Sequence, residues 1–330
     1  MAGNSWKIFG WIPFAADGSR IEVPRTQANQ EALGCAGKEK TGPQFLATVL
    51  YHMGSALPWR WKIGAGTNSE RGHLQSMLKY LPLGSLLVAD AGFTGYDLLK
   101  NILSHQLSFL IRVGANITLL RGLGFEFEPH GNIVWLWPQN KRNQEPLKLR
   151  LIRLKAKAKY ARNKRDIYLL TNVFDTERLS DKIADKFYRM RWGVELFYRS
   201  FKQTLDQHKL RSRAPQQAEE ELHWALTAML LLGLMSVDAL VSRGGDPLSL
   251  SVAGALRQVR LAMRTPRRWR HRSDLREVLA QAVKDSYKRR GPQKARDWPY
   301  KKKESPPGAP KIRPAKPNEI ALAKRSYKVA

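Results

Sequence analysis

One helical segment, residues 180–205, restricts the fold of this chain more than any other feature. At about 100° per residue, its apolar side chains fall on a single stripe with the spacing typical of core packing. The members of this stripe are Ile183, Phe187, Met190, Val194, Phe197, Phe201 and Leu205. Ser180 can cap the start of the helix, and Asp181 lies in its first turn. The pattern predicts a helix with one side against a hydrophobic core.

Four polar side chains lie at the edge of this stripe, within an arc of about 60° on the same count. They are Tyr188, Arg191, Glu195 and Lys202. Their position predicts that they line a cleft. Arg191 and Glu195 are compatible with an ordinary i,i+4 ion pair worth ~0.3–0.5 kcal/mol. They are equally compatible with a carboxylate that binds a metal beside cations that bind nucleic-acid phosphate.

The first 113 residues alternate short strand-like runs with helical segments. The predicted strands are residues 14–23, 45–51, 59–63, 86–89 and 109–113. The predicted helices are residues 69–80 and 96–105. This order favours an α/β fold with a mixed sheet.

Two aspartates upstream of the helix stand in strand contexts. Asp90 closes the apolar run 86–89, and ligands in open α/β sheets gather outside the carboxyl ends of strands. Gly92 leaves room there for a metal or backbone, although a turn or helix-capping aspartate is the alternative. Asp17 precedes Gly18, and Asp-Gly is the strongest short hairpin signal. The local sequence therefore favours a turn at Asp17.

Convergence of Asp17, Asp90 and Glu195 would place three like charges in a small site. Their repulsion would raise at least one pKa unless divalent cations neutralise them. Hard oxygen ligands select Mg²⁺ or Mn²⁺. Two such ions, about 3.5–4 Å apart, suit in-line phosphodiester chemistry.

The chain is strongly basic, with a net charge of +29 over 330 residues. Such an excess attracts polyanions, so nucleic acid is the favoured partner. From residue 261 onward, 21 Lys and Arg stand against 6 Asp and Glu, and this region is predicted to be a poorly ordered basic arm. The longest apolar run, residues 225–235, is shorter than a membrane span of about 20 residues and predicts a buried helix. The single cysteine, Cys35, suits a reducing cytoplasm.

Basic residues also recur with a period of two between residues 147 and 159. Lys148 and Arg150 share one side of this run, and Arg153 and Lys155 continue the period after a shift. This alternation indicates a strand or ribbon that presents cations to DNA. The alternative is a solvated edge strand whose charges deter aggregation.

The spacing Tyr188-x2-Arg191-x3-Glu195-x6-Lys202 matches the Tyr-Arg-Glu-Lys signature of DDE transposases of the insertion sequence 4 type. Residues 16–19 and 89–93 resemble the family's two other acidic motifs, and the resemblance covers about residues 11–240. It implies a ribonuclease-H-like mixed sheet flanked by helices, with a β-rich insertion before the helix that carries the glutamate. The implied parts are residues 1–113 and 174–241 for the catalytic core, 114–173 for the insertion, and 242–330 for a basic, partly disordered region.

The same resemblance assigns roles to individual residues. Asp17, Asp90 and Glu195 are implied to be the catalytic residues and the ligands of two Mg²⁺ or Mn²⁺ ions. The implied DNA contacts on the signature helix are Tyr188, Arg191, Lys202, Arg189 and Arg199. Some relatives stack a flipped base on a tryptophan. Trp135 and Trp137, in the insertion, are candidates for that part, or else core aromatics.

The implied function is metal-dependent cleavage of double-stranded DNA at element ends, followed by strand transfer into target DNA. A homodimer on DNA, in the nucleoid of a bacterial cytoplasm, is expected, with no membrane and no small-molecule substrate. Family members usually carry an end-binding region before the first aspartate, whereas only 16 residues precede Asp17. The alternative is therefore a truncated, inactive DNA-binding relative that regulates transposition.

Overall fold

The computed structural model describes residues 6–36, 42–123, 132–155, 166–264, 275–285 and 307–326. Within these ranges the chain forms one ten-stranded mixed sheet with the order β10-β6-β7-β8-β9-β5-β4-β1-β2-β3. The strands are β1 Ile12–Glu22, β2 Gln44–His52, β3 Leu57–Ala65, β4 Ser85–Ala89, β5 Ser108–Val113, β6 Thr118–Arg121, β7 Ile133–Leu136, β8 Leu147–Leu154, β9 Ile167–Thr171 and β10 Lys311–Pro314.

Helices cover both faces of the sheet. They are α1 Gln27–Leu33, α2 Glu70–Met77, α3 Tyr96–Ser104, α4 Asp181–Met190, α5 Trp192–Arg199, α6 Pro215–Val241, α7 Val252–Arg264, α8 Leu275–Ala280 and α9 Pro317–Ser326. Successive residues of a strand point to opposite faces. Phe14 and Ala16 therefore join a core with α2 and α3, whereas Ala15 joins a second core with α4, α5 and α6.

Five strands, in the order β3-β2-β1-β4-β5, form the part of the sheet built by the first 113 residues. β1, β2 and β3 pair antiparallel, whereas β4 and β5 run parallel to β1. The predicted fold class, a ribonuclease-H-like mixed sheet flanked by helices, is confirmed. β6, β7, β8 and β9 extend the same sheet beyond β5. The domain boundaries proposed within this continuous sheet stay a prediction.

Asp17 lies in the middle of β1 and not in a hairpin turn, so the local interpretation of Asp-Gly was wrong. β1 pairs with β2 without interruption from Phe14 to Glu22, and Asp17 lies opposite Val49. Gly18 has a different reason to be glycine. A Cβ built on it would lie 2.6 Å from the Glu70 carboxylate oxygen Oε1, so a larger residue would require the Glu70 side chain to move.

The predicted helix over residues 180–205 is present as α4, α5 and a π-helical turn, Ser200–Thr204. The Ser180 side chain accepts a hydrogen bond from Ile183 N, as predicted for a cap. Arg191 joins α4 to α5 with right-handed helical backbone angles. The apolar stripe faces the sheet, with Phe187, Val194 and Phe201 fully buried.

Arg150 ties this helix to the sheet. It is 5% exposed on β8, and its guanidinium donates to the Asp181 carboxylate at 2.7 Å and to Leu179 O at 2.8 Å. Arg150 is therefore engaged inside the fold, and it does not belong to a basic face that is presented to a partner. Residues 156–165, which carry the rest of the alternating run, lie outside the described residues.

α6 is long and apolar enough to cross a membrane by length and composition, and 39% of its most apolar 18-residue stretch is buried. No other helix within the described ranges passes this test. Leu222, Leu226 and Met229 pack into the core beside α5, so the helix predicted to be buried is buried along one side only. Trp224 and Leu231 are exposed on its other side.

The described end of the chain does not form the predicted disordered arm. β10 pairs parallel with β6, and α9 follows it. Glu319, in the first turn of α9, accepts hydrogen bonds from both Arg313 and Arg142 and from Lys316 N. Residues 265–274, 286–306 and 327–330, which carry much of the predicted arm, lie outside the described residues.

We expect Glu319→Gln to loosen β10 from the sheet, together with α9, the helix that follows it. The hydrogen bonds from Arg313 lower the pKa of Glu319 to about 2. The carboxylate therefore contributes stability above its ordinary pKa and loses it as the pH falls towards 2. At pH 7 the β10 amides should exchange faster in Glu319→Gln than in the wild type. The difference corresponds to an opening free energy that is lower by about 1–3 kcal/mol.

Glu277→Gln is the matched control, because Glu277 pairs with Arg243 at 3.7 Å and both side chains are half exposed. It should leave β10 unchanged. Equal exchange of β10 in both variants and the wild type would show that Glu319 does not hold this strand.

Candidate active site

Two carboxylates meet where neighbouring parallel strands separate. β1 and β4 pair up to Ala15 and Val88. Asp17 and Asp90 each lie two residues beyond that last pair, so both stand at the same edge of the sheet. The register of the two strands thus brings the predicted pair together, at the carboxyl end of β4.

Asp17 is a buried acid with negative neighbours. Burial raises its pKa from 3.8 to about 7. The charges of Glu70 and Asp90 act in the same direction, whereas a hydrogen bond from Gly18 N and the charge of Arg191 oppose them. A buried carboxylate that lacks a close cation is costly in its charged form. The position therefore favours a bound cation or a bound proton.

Asp90 makes the turn-capping contact that the sequence left open. Its Oδ1 accepts a hydrogen bond from Gly92 N at 2.8 Å and begins the single turn Ala91–Phe93. A Cβ on Gly92 would lie 2.9 Å from the same oxygen. The cap and the proximity to Asp17 coexist, because the cap engages Oδ1 only.

Glu195 lies on α5 and forms the i,i+4 ion pair. Its Oε1 accepts from Arg191 Nη2 at 2.8 Å. Arg191 is 8% exposed, and its Nε is buried without a hydrogen-bond partner. The charge of Arg191 also acts on Asp17 and on Asp90. One arginine therefore faces all three acids of the predicted triad.

The three acids do not form a ready metal site. Among the described residues, no group of three His, Cys, Asp or Glu side chains is placed to hold a metal ion. Asp17 and Asp90 nevertheless supply the carboxylate oxygens that Mg²⁺ or Mn²⁺ requires, and the burial of Asp17 beside the charges of Glu70 and Asp90 favours a bound cation there. Glu195 fits less well, since its carboxylate is occupied by Arg191.

The predicted DNA contacts divide into engaged and exposed side chains. Tyr188 is buried, and Lys202 Nζ donates to Arg20 O on β1 at 2.8 Å. Burial lowers the pKa of Lys202. Arg199 is exposed, and Arg189 is exposed and paired with Asp185 on its own helix.

Trp135 and Trp137 are core aromatics. They are 4% and 2% exposed and pack into the core beside α3. Trp137 Nε1 donates to Lys141 O and Gln144 O, which satisfies the buried indole. Neither ring presents a face to a flipped base, so the core interpretation holds and the stacking one does not.

Two residues near the site carried no recognised signal in the sequence. Glu70 marks the start of a helix, but its carboxylate lies against Gly18 and its charge acts on Asp17. Tyr198, one turn after Glu195, hydrogen-bonds to Asp17 O at 3.1 Å. To find either residue from the sequence, one would have to know how α2 and α5 pack against β1.

A mixed sheet with two strand-borne aspartates, flanked by a helix with a glutamate, has the layout of a DDE nucleic-acid-processing core. The chain belongs to the DDE transposase family: the family described as "Transposase DDE domain" matches residues 12–231. Over 239 residues it is 26% identical to the transposase InsG of insertion sequence element IS4 from Escherichia coli (strain K12). The predicted resemblance to the insertion sequence 4 type is confirmed.

That alignment covers 68% of this chain and 52% of InsG, so the chain spans about half the length of this curated relative. A cryo-EM structure of the piggyBac transposase synaptic complex with hairpin DNA is also similar, with 13% identity and a TM-score of 0.47. The match covers 84% of this chain and 58% of the piggyBac chain. At this TM-score the likeness supports no further conclusion.

Proposed function

We propose that this chain catalyses divalent-metal-dependent cleavage of double-stranded DNA at element ends and joins the freed 3′-hydroxyl to target DNA. The observation that carries the proposal is the meeting of Asp17 and Asp90 at one edge of the sheet, in a chain of the DDE transposase family. The relative InsG is itself named a transposase. The net charge of +29 suits a DNA substrate.

Asp17 and Asp90 would hold Mg²⁺ or Mn²⁺ through carboxylate oxygens. Two such ions, when bound, would supply activation of water or a 3′-hydroxyl and stabilisation of the leaving oxygen. Glu195 can contribute to metal binding only after Arg191 releases it and pairs with another anion. A DNA phosphate is such an anion, because arginine binds phosphate in the same bidentate manner as carboxylate.

The DNA would approach along the exposed side of the signature helix, where Arg189 and Arg199 lie. Arg191 would be the phosphate contact nearest the acids. Lys202 and Tyr188 act from inside the fold, because one ties the helix to β1 and the other is buried. A homodimer on paired ends in the bacterial cytoplasm, close to the nucleoid, remains part of the proposal.

The ion pair between Glu195 and Arg191 favours a second candidate, an inactive DNA-binding regulator of transposition. In that role Glu195 would stay paired with Arg191, and the site would take up no metal. The two functions share DNA binding and differ in metal-dependent cleavage.

The test uses the purified chain and a supercoiled plasmid that carries the genomic DNA flanking the gene on both sides. Nicked, linear and joined products are followed by gel electrophoresis with Mg²⁺, Mn²⁺ or EDTA. We expect metal-dependent products from the wild type and a loss on the order of 10⁴-fold in Asp90→Asn, as for other members of a catalytic set. Asp97→Asn is the control, since Asp97 is exposed and pairs with Lys141.

Three outcomes separate the candidates. Cleavage that Asp90→Asn removes and Asp97→Asn keeps supports the transposase. Salt-sensitive binding without any product, with either metal, supports the regulator. Equal cleavage by the wild type and Asp90→Asn would show that the site lies elsewhere.

A further inference from the structure

The hydroxyl of Tyr198 joins the helix of Glu195 to the strand of Asp17. Tyr198 lies three residues after Glu195 on α5 and is 5% exposed. Its hydroxyl is 3.1 Å from Asp17 O on β1 and 2.7 Å from Ala47 O on β2.

The two acceptors lie on neighbouring strands. Ala47 is the partner of Ser19, two residues beyond Asp17, in the register of β1 and β2. A tyrosine hydroxyl has one proton to donate and lone pairs to accept with. Its proton can therefore be shared between the two carbonyl oxygens. The backbone position of Asp17 is thus set by a side chain of α5 as well as by the neighbouring strand.

The place of this contact on β1 explains its importance. β4 pairs with β1 only as far as Ala15, so the backbone of Asp17 lacks support from that side. Buried backbone groups must find other partners. Tyr198 supplies one at Asp17, and Lys202 supplies another at Arg20 O. Both come from the helical segment that carries Glu195.

We propose that Tyr198 is a positioning residue that fixes the distance between the Asp17 carboxylate and two residues at the start of the neighbouring helix, Arg191 and Glu195. This inference rests on the proposed function of the same site. Tyr198 touches no substrate. It acts by holding the Asp17 backbone to α5, so that the acids can share one metal-binding arrangement.

The test compares Tyr198→Phe with Tyr96→Phe. Both replacements remove only a hydroxyl. Tyr96 is 4% exposed and donates to Glu145 O in the core on the other side of the sheet, so it controls for the loss of a buried hydrogen bond. Mn²⁺ alone is the probe for binding, followed by electron paramagnetic resonance of the full chain. Cleavage of the flanking-DNA plasmid gives kcat and KM.

We expect Tyr198→Phe to weaken Mn²⁺ binding and lower kcat by about 10–100-fold each, the size seen when supporting residues around a metal are removed. The KM for DNA should stay within about twofold. Tyr96→Phe should change neither, although both variants should melt at lower temperature. A lower kcat with an unchanged KM in Tyr198→Phe, absent from Tyr96→Phe, would distinguish positioning from a general loss of stability.

Two results would overturn the inference. Wild-type Mn²⁺ binding and kcat in Tyr198→Phe would show that its hydroxyl positions nothing. Equal losses of Mn²⁺ binding and kcat in both variants would show that the Tyr198 hydroxyl contributes only to stability. Failure of the proposed function is recognisable separately, because then the wild type and Asp17→Asn would bind Mn²⁺ equally weakly, and the inference would fall with it.

Discussion

Asp17→Asn should abolish DNA cleavage and at the same time stabilise the folded protein at pH 8. The loss of activity, on the order of 10⁴-fold, follows from removing one of the two acids that meet at the sheet edge. The gain in stability follows from burial, which raises the pKa of Asp17 to about 7. The charged acid is therefore unfavourable in the fold at pH 8, and asparagine carries no charge.

The sign of the pH dependence is fixed by the raised pKa. Relative to the unfolded chain, the protonated acid contributes stability that is complete below about pH 3.8 and is lost as the pH rises through about 7. Above pH 7 the wild type should be less stable than Asp17→Asn by on the order of 2–4 kcal/mol. Near pH 4 the two should be nearly equal.

Thermal unfolding in EDTA across this pH range measures the difference, because a bound cation would compensate the charge. Asp97→Asn should show no such pH-dependent gain, since Asp97 is exposed. A lower melting temperature for Asp17→Asn at pH 8 would contradict the buried, poorly compensated charge.

Glu195→Gln should abolish cleavage as well, but it should destabilise the fold. Glu195 is the hydrogen-bonded anion beside Arg191, whose side chain is 10% exposed and whose Nε already lacks a partner. Removing the carboxylate charge leaves a buried guanidinium poorly paired, at a cost of about 1–3 kcal/mol. The two variants thus share a catalytic loss and differ in the sign of their effect on stability.

DNA binding by Glu195→Gln should persist and should weaken as salt rises, because it depends on contacts between cations and phosphate. Gel shifts at several salt concentrations, with cleavage measured on the same plasmid, check both statements. Cleavage near the wild-type rate would remove Glu195 from the mechanism. Arg189→Gln, on the exposed side of the helix, should instead weaken binding and leave the melting temperature unchanged.

The sequence predicted the helical side of the site well, because periodicity within one segment is a local signal. The stripe from Ile183 to Leu205 gave the buried face of the helix, and Ser180 gave its start. The choice between an ion pair and a metal ligand at Glu195 could not be made, since both need the same spacing. The structure contains the ion pair, while the three acids surround one arginine.

The strand side of the site was less predictable, because it depends on pairing between distant residues. Asp17 and Gly18 have the sequence of a turn, yet β2 and β4 hold them in a long strand. The strand predicted over residues 14–23 and the family resemblance both placed Asp17 in a strand, against the Asp-Gly turn signal. Glu70 and Tyr198 approach β1 from helices on opposite faces, and no local pattern predicts either approach.

Charge and aromatic character were the weakest guides. Arg150 has the spacing of an exposed basic face, but it is buried against the start of α4. Trp135 and Trp137 could serve a base or a core, and burial decides for the core. The type of a side chain limits the roles that a residue can have, whereas its burial in the fold decides which of them it has.

The parallel pairing of β10 with β6 has a consequence for biosynthesis. Lys311 can meet Thr118 only after all the residues between them have left the ribosome. Until then the outer hydrogen-bonding edge of β6 has no strand beside it, and such edges invite pairing with other chains. Nascent or prematurely terminated copies should therefore be prone to aggregate. Pairing of β10 with β6 would close this edge as a late step in the formation of the sheet.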